Sequence, residues 1–405
     1  MITCVIGGGA AGMLSAISAR NKGYKVILLE KNEKLGKKIY ITGKGRCNLT
    51  NNSSVNDFMQ NVVVNNKFLF SALNNLSPLE TISLFENLGL KLKTERGNRV
   101  FPESDKSSSV IKCLENYLFK LGVDVRLNTE VKIVSKVNEN SFEIYTNNET
   151  FFCNKVIIAT GGVSYPLTGS TGDGYDFAKR FGHSVVTPKP SLVGIELKGD
   201  SFKQIQGLSL KNVRLSIYNE QKCLFQDFGE MLFTHFGVSG PIVLSSSCLI
   251  NKFNVDNFDL IIDLKPALTE EVLDQRLVRE TSIYHNKTIS NMLRELLPKS
   301  LIEIVLSQAN VSQTKSCSNM SKEERFKILQ TLKSLKFKIK KLRPIEEAII
   351  TSGGINVKEI NPKTMESKLV SGLYFAGEVI DVDAFTGGYN LQIAFSTGYL
   401  AGQSC

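Results

Sequence analysis

The chain has 405 residues, 42% hydrophobic and 22% charged, which excludes a disordered polypeptide and predicts two, at most three, globular domains. A net charge of +10 makes an anionic partner a candidate, nucleic acid or an anionic lipid surface, against the competing explanation of drift toward Lys and Asn. The eight cysteines are scattered without a CxxC pair and only three histidines are present, so no metal site and no dithiol centre is expected; no apolar run is long enough to span a bilayer, no secretory signal is read, and free thiols fit a cytoplasmic protein.

Ile2–Ile6 reads as a short apolar strand. It runs into Gly7-Gly8-Gly9-Ala10-Ala11-Gly12, a helix is predicted from Met13 to about Asn21, and a second strand, Lys25–Leu29, ends on Glu30. This is the dinucleotide-binding βαβ fingerprint in its proper context. Gly7 allows the tight turn, Gly9 lets the backbone approach a pyrophosphate, and Gly12 lets helix and strand pack closely. The helix N-terminus offers unpaired N–H groups to phosphates. Glu30 stands where a carboxylate accepts from ribose hydroxyls and disfavours a 2′-phosphate, so FAD or NAD fits better than NADP.

A helical pattern covers Phe68 to Leu88, with Ser77-Pro78-Leu79-Glu80 as an internal start signal. Asp105 to Leu121 is a second helix, with Val110, Ile111, Leu114, Leu118 and Leu121 on one face. Strands follow at Val123–Leu127, Glu130–Lys136, Ser141–Thr146 and Thr150–Cys153, a meander typical between the halves of a nucleotide domain. Lys155–Ala159 is a buried strand ending on Thr160-Gly161-Gly162. Pro188 and Pro190 mark a boundary. Beyond them lie short strands at Gly194–Lys198, Asn212–Tyr218, Lys222–Gln226, Met231–Thr234 and Phe258–Leu264, then helices at Thr269–Thr281, Ser290–Leu297, Lys299–Ala309 and Ser321–Leu335, the last opened by a Ser321/Glu324 capping box. A strand at Gly372–Ala376, then Gly377-Glu378, then a helix opened by Gly387-Gly388 return to the first domain. There the helix N-terminus suits the edge of a flavin that becomes negative on reduction, and Asp381 or Asp383 could hold a ribityl hydroxyl; a plain tight helix entry is the alternative. No second GxGxxG exists, so a nicotinamide enters only as a transient donor.

Longer strings then carry a resemblance. They are Gly36-Lys37-Lys38, Thr42-Gly43-Lys44-Gly45-Arg46-Cys47-Asn48-Leu49-Thr50-Asn51, Arg99-Val100-Phe101-Pro102, Ala159 through Pro166 with Gly169 through Gly174, Gly229 through Pro241, and Thr364 through Gly398. Over essentially its whole length the chain resembles the BaiN/RdsA-type family of FAD-dependent oxidoreductases. Lys44 stands where the family usually carries a small residue. The resemblance implies an α/β fold: a Rossmann-like, glutathione-reductase-like FAD-binding domain interrupted by an inserted β-barrel plus helical domain, with boundaries at 1–190, 191–343 and 344–405. It also implies reduction of a C=C bond, in an unsaturated steroid or in a uracil of large-subunit ribosomal RNA. Residue by residue, it places Gly7, Gly9, Ala11 and Gly12 at the pyrophosphate, Glu30, Lys31 and Lys38 near the ribose, and Val131 at the adenine. Gly45, Arg46, Cys47 and Asn48 approach the isoalloxazine, and Thr160, Gly161, Gly377, Glu378, Asp383, Asn390 and Leu391 close the site.

Saturating an activated C=C needs a hydride from FAD, ultimately from NAD(P)H, and a proton from a nearby acid. Cys47 is the first candidate, as a thiolate-forming residue beside Arg46; a small packing residue is the competing reading. His235 and Tyr165 are the alternates. The strand Lys336–Arg343 turns Lys336, Lys338 and Lys340 to one face, which fits either RNA phosphates or plain solvation. Three functions stay open: dihydrouridine formation in ribosomal RNA, reduction of a small-molecule enone, and a non-catalytic flavin-holding RNA-binding or assembly protein.

Overall fold

Ile2–Ile6 takes the centre of a five-stranded sheet in a computed structural model that describes residues 1–405. Across the sheet the order is Leu373–Phe375, Lys155–Ile158, Ile2–Ile6, Lys25–Leu29 and Asp124–Arg126, and every neighbouring pair is parallel. Strands covered on both faces need continuous apolar runs rather than alternation, and the three central strands are buried almost throughout. The sheet therefore joins strands from the start, middle and end of the chain.

This sheet belongs to a unit formed by Met1–Ser191 with Ile345–Cys405; Leu192–Pro344 forms a second unit. In the first unit, helix Ala10–Asn21 packs on helix Tyr389–Ser404. Small residues set the spacing. A Cβ added at Gly398 would stand 2.3 Å from the Ala11 carbonyl oxygen, and one at Gly402 would stand 2.2 Å from that of Ser15. The meander Val131–Asn138, Ser141–Thr146 and Thr150–Cys153 is a three-stranded antiparallel sheet. A second small sheet pairs Arg99–Pro102 with both Thr50–Asn51 and Leu92–Glu95.

The helix at Ser107–Leu121 buries Val110, Ile111, Leu114 and Leu118, and ends on the left-handed Gly122. The stretch Phe68–Leu88, read as helical with a start signal at Ser77, divides into Phe70–Asn75 and Pro78–Asn87. Pro78 cannot continue a preceding helix, and Ser77 with Glu80 caps the next one as a complete capping box. The prolines at 188 and 190 do not end regular structure. Val185–Ser191 pairs antiparallel with Ile350–Ile355 across a bulge at Val186/Lys189, a place where a strand tolerates proline.

The second unit is a closed barrel flanked by helices. Its strands run Ile195–Leu197, Gly237–Ser239, Lys222–Thr234, Ser209–Asn219, Asp259–Asp263 and Leu335–Leu342, the last pairing back to the first. Leu215, Ile217, Phe233, Leu260, Ile262, Phe337 and Ile339 are buried in its core. Lys222–Thr234 is one long strand where two were expected. The exposed Asp227-Phe228 and Gly229 interrupt the apolar alternation, but pairing with Ser209–Asn219 carries the backbone through. The helices are Pro241–Ile250, Glu270–Ile283, Ile289–Met292, Lys299–Gln308 and Lys322–Lys333. No helix of the chain is long and apolar enough to cross a membrane.

Candidate functional site

The glycine turn has the geometry of a phosphate cradle. Gly7 has φ +104° and donates to the Leu29 carbonyl at 2.8 Å, locking the turn between the first two strands. Gly12 packs so closely under it that a Cβ would lie 1.8 Å from the Gly7 oxygen. Helix Ala10–Asn21 starts after Gly9 with no side-chain cap, and a side chain added at Gly9 would meet nothing within 4 Å. An uncapped helix start beside open space is what an anion site requires. Glu30, 8% exposed, accepts from the Gly8 N–H at 2.7 Å and from both amide nitrogens of Asn32. Lys31 pairs with Asp173 at 2.6 Å. Val131 is buried at the start of the meander.

The chain's far end closes onto this region. Lys38 reaches Glu378 at 2.6 Å and Ser164 Oγ at 2.6 Å. Glu378 also accepts from Ser164 Oγ and from the Thr351 N–H, each at 2.8 Å. Burial works to raise the Glu378 carboxyl, but the Lys38 charge and these donors outweigh it and hold it below the ordinary range. Gly377 donates to Thr397 Oγ1 at 3.0 Å. The Asn390 amide brackets the Ala384 peptide, accepting its N–H and donating to its carbonyl, just before the final helix, and Leu391 packs against the core beside it. Asn48, oriented by its partners, donates to the Val100 and Thr50 carbonyls and accepts from the Gly388 N–H at 2.9 Å. The Thr160 hydroxyl, next to the left-handed Gly161, is buried without a partner, as is the Tyr175 hydroxyl. Thr160 adjoins Gly7, and an orphaned hydroxyl beside an open glycine cradle is what a bound dinucleotide would satisfy, so the residues present fit one.

Burial and ion pairing set the acidic and thiol groups of the site. Asp383, expected at a ribityl hydroxyl, is fully buried and accepts from Ser191 Oγ at 2.7 Å and Ser352 Oγ at 3.2 Å. Burial pushes its carboxyl up to about 6. The pairing of Arg46 with a Cys47 thiolate is not formed. Arg46 turns to Glu95 and Asp105 and lies over the Phe101 ring at 4.2 Å. Cys47 is wholly buried in a left-handed conformation (φ +59°), and burial pushes its thiol up to about 12 against a hydrogen bond with Thr42. Gly45, in the same loop, faces open space. Tyr165 is half-buried, also left-handed (φ +50°), and its phenol is pushed up by burial and then by the Glu347 charge.

Thr351, Ser164 and Gln392 were missed in the sequence. Thr351 Oγ1 accepts from the Val163 and Ser164 N–H groups, and Gln392 ties Thr50, Leu76, Thr81 and Ser396 together. Ser164 and Gln392 lie inside strings that carry the family resemblance, but nothing local marks these roles, because most of their partners are distant in sequence. His235 lies in the second unit, exposed and edge-on to Phe236. Lys336, Lys338 and Lys340 alternate outward from the barrel strand, with Lys338 paired to Asp259 at 2.8 Å.

The signature of the HI0933-like protein Rossmann domain matches residues 1–404. The chain belongs to this family. It is an FAD-dependent oxidoreductase of the BaiN/RdsA type. Over 404 residues it is 31% identical to a 3-dehydro-bile acid delta(4,6)-reductase of Clostridium scindens, covering 99% of this chain and 98% of that protein. Over 399 residues it is 32% identical to a ribosomal RNA dihydrouridine synthase of Haemophilus influenzae, with 98% and 96% covered. A solved 3-ketosteroid delta1-dehydrogenase from Sterolibacterium denitrificans superposes with a TM-score of 0.52 at 12% identity, covering 99% of this chain and 98% of that one, a likeness of fold.

Proposed function

We propose that this enzyme reduces the C=C bond of a uracil in large-subunit ribosomal RNA to dihydrouridine, with NAD(P)H as electron donor. The observation that carries the reading is the end-to-end similarity to a ribosomal RNA dihydrouridine synthase, in a chain of net charge +10. Bound FAD supplies the hydride chemistry. Gly7, Gly9, Ala11 and Gly12 and the helix behind them hold the pyrophosphate, while Glu30, Lys31 and Lys38 flank the ribose side. Thr160, Gly161, Gly377, Glu378, Asn390 and Leu391 close the cradle, with Gly45, Arg46 and Asn48 on the loop toward the ring. Tyr165 is the proposed proton donor in place of Cys47: its phenol keeps its proton at neutral pH and it is half-buried rather than sealed.

Mass spectrometry of nucleosides from large-subunit ribosomal RNA tests the reading. Deleting the gene should remove dihydrouridine, and an unchanged profile refutes the substrate. Reduction of a small-molecule enone is the second reading, favoured by the 31% identity to the bile acid reductase. It predicts NAD(P)H oxidation by purified protein on adding a small acceptor without RNA.

A further inference from the structure

We propose that a groove on the second unit is a docking surface for a single-stranded segment of RNA, gripping phosphates with lysines and stacking a base on His235 and Phe236. The proposal rests on the RNA reading above and names where that partner is held. The groove encloses about 680 Å³, and Lys198, Lys203, His235, Phe236, Lys340 and Arg343 are among its lining residues. His235 is exposed and meets Phe236 edge-on, with ring centroids 5.1 Å apart. The Arg343 guanidinium lies 4.7 Å from the centre of the Phe236 ring.

The groove is lined by the cations Lys198, Lys203, Lys340 and Arg343 against the carboxylates Glu196, Asp200 and Asp256. Glu196, with its side chain 11% exposed, is a single carboxylate shared by Arg343 at 2.7 Å, Lys341 at 3.6 Å and Lys340 at 3.9 Å. Lys340 and Lys341 stand too far from Glu196 for a hydrogen bond and are both 59% exposed, so their ammonium groups are open to a ligand. Lys198 and Lys203 pair with Asp256 and Asp200, but all four groups are substantially exposed, and such pairs are weak enough for a phosphate to displace the carboxylate. Lys340 is also the last of the outward row Lys336, Lys338, Lys340, so a basic strip leads along the barrel strand to the aromatic pair. Cations tracking a backbone beside an open aromatic platform are the combination that holds single-stranded nucleic acid. An acidic protein segment would use the lysines and leave the rings idle.

Fluorescence anisotropy of a labelled, unstructured uridine-rich RNA with the full-length, FAD-loaded protein tests this. Lys198→Ala, Lys203→Ala and Lys340→Ala combined should lower the slope of log affinity against log salt by about 2, at roughly 0.7 per phosphate. His235→Ala should weaken binding about 5-fold or more and leave that slope unchanged. These side chains are exposed, so unchanged melting midpoints verify the fold. Wild-type affinity in both variants overturns the groove. Equal displacement of the RNA by polyglutamate also overturns it and assigns the lysines to an acidic protein. The two readings separate in a deletion strain. If the wild-type gene restores dihydrouridine while both variants bind RNA as wild type does, the groove alone falls; if the variants lose RNA affinity while the nucleoside profile never depended on the gene, the substrate alone falls.

Discussion

Asp383 offers a quantitative test of the buried acidic region. Burial pushes its carboxyl up from 3.8 to about 6; the Ser191 and Ser352 hydroxyls oppose that, and the Asp381 and Glu378 charges add to it. Each tenfold change in acidity is worth about 1.4 kcal/mol, so the buried ionised form is disfavoured by about 3 kcal/mol. Because the folded value is raised, the stabilisation is full below pH 3.8 and is lost as the pH rises through 6. Asp383→Asn keeps the shape and removes the titration. Its stability relative to wild type should therefore rise by about 3 kcal/mol from about pH 3 to 7 and stay level above that. For a unit of this size each kcal/mol moves the melting midpoint by roughly 2 °C, a swing of roughly 6 °C. Differential scanning of flavin-free protein across that range reads it directly. A difference that stays flat, or that moves against Asn as the pH rises, refutes the burial argument.

Glu378→Gln leaves Lys38, 21% exposed, without its counter-charge, and should cost about 3–5 kcal/mol in urea denaturation together with weaker retention of FAD. Cys47 should resist thiol reagents at pH 8 in the native protein, while the exposed Cys223 is labelled first; peptide mass spectrometry after timed alkylation distinguishes them, and early labelling of Cys47 contradicts its burial. Gly398→Ala forces a methyl against the Ala11 carbonyl and should destabilise the first unit by about 1–3 kcal/mol, seen as a lower melting midpoint; an unchanged midpoint means the two helices can separate freely.

The glycine turn and the acid that follows it were legible in the sequence because their signals are local. Gly7, Gly9 and Gly12 are needed within one turn of backbone, and Glu30 follows at the end of the next strand, so spacing alone placed them. The capping boxes at Ser77/Glu80 and Ser321/Glu324 were readable for the same reason, since both partners lie within four residues. Helix Pro241–Ile250 carried no such signal: its isoleucines and serines are buried on several sides, so no amphipathic period appears. The strand Val185–Ser191 was hidden by its prolines, and only its pairing with Ile350–Ile355 reveals it.

Local chemistry therefore determined, from the sequence alone, the glycine turn between the first two strands, the helix behind it and the family to which the chain belongs. Tertiary structure alone decided the protonation and exposure of the reactive groups. Whether Cys47 meets Arg46 depends on Glu95 and Asp105 competing for the guanidinium, and whether Asp383 is ionised depends on how much water the surrounding strands exclude. Desolvation and ion pairing act between residues that are neighbours in space, and one-dimensional spacing does not encode that neighbourhood.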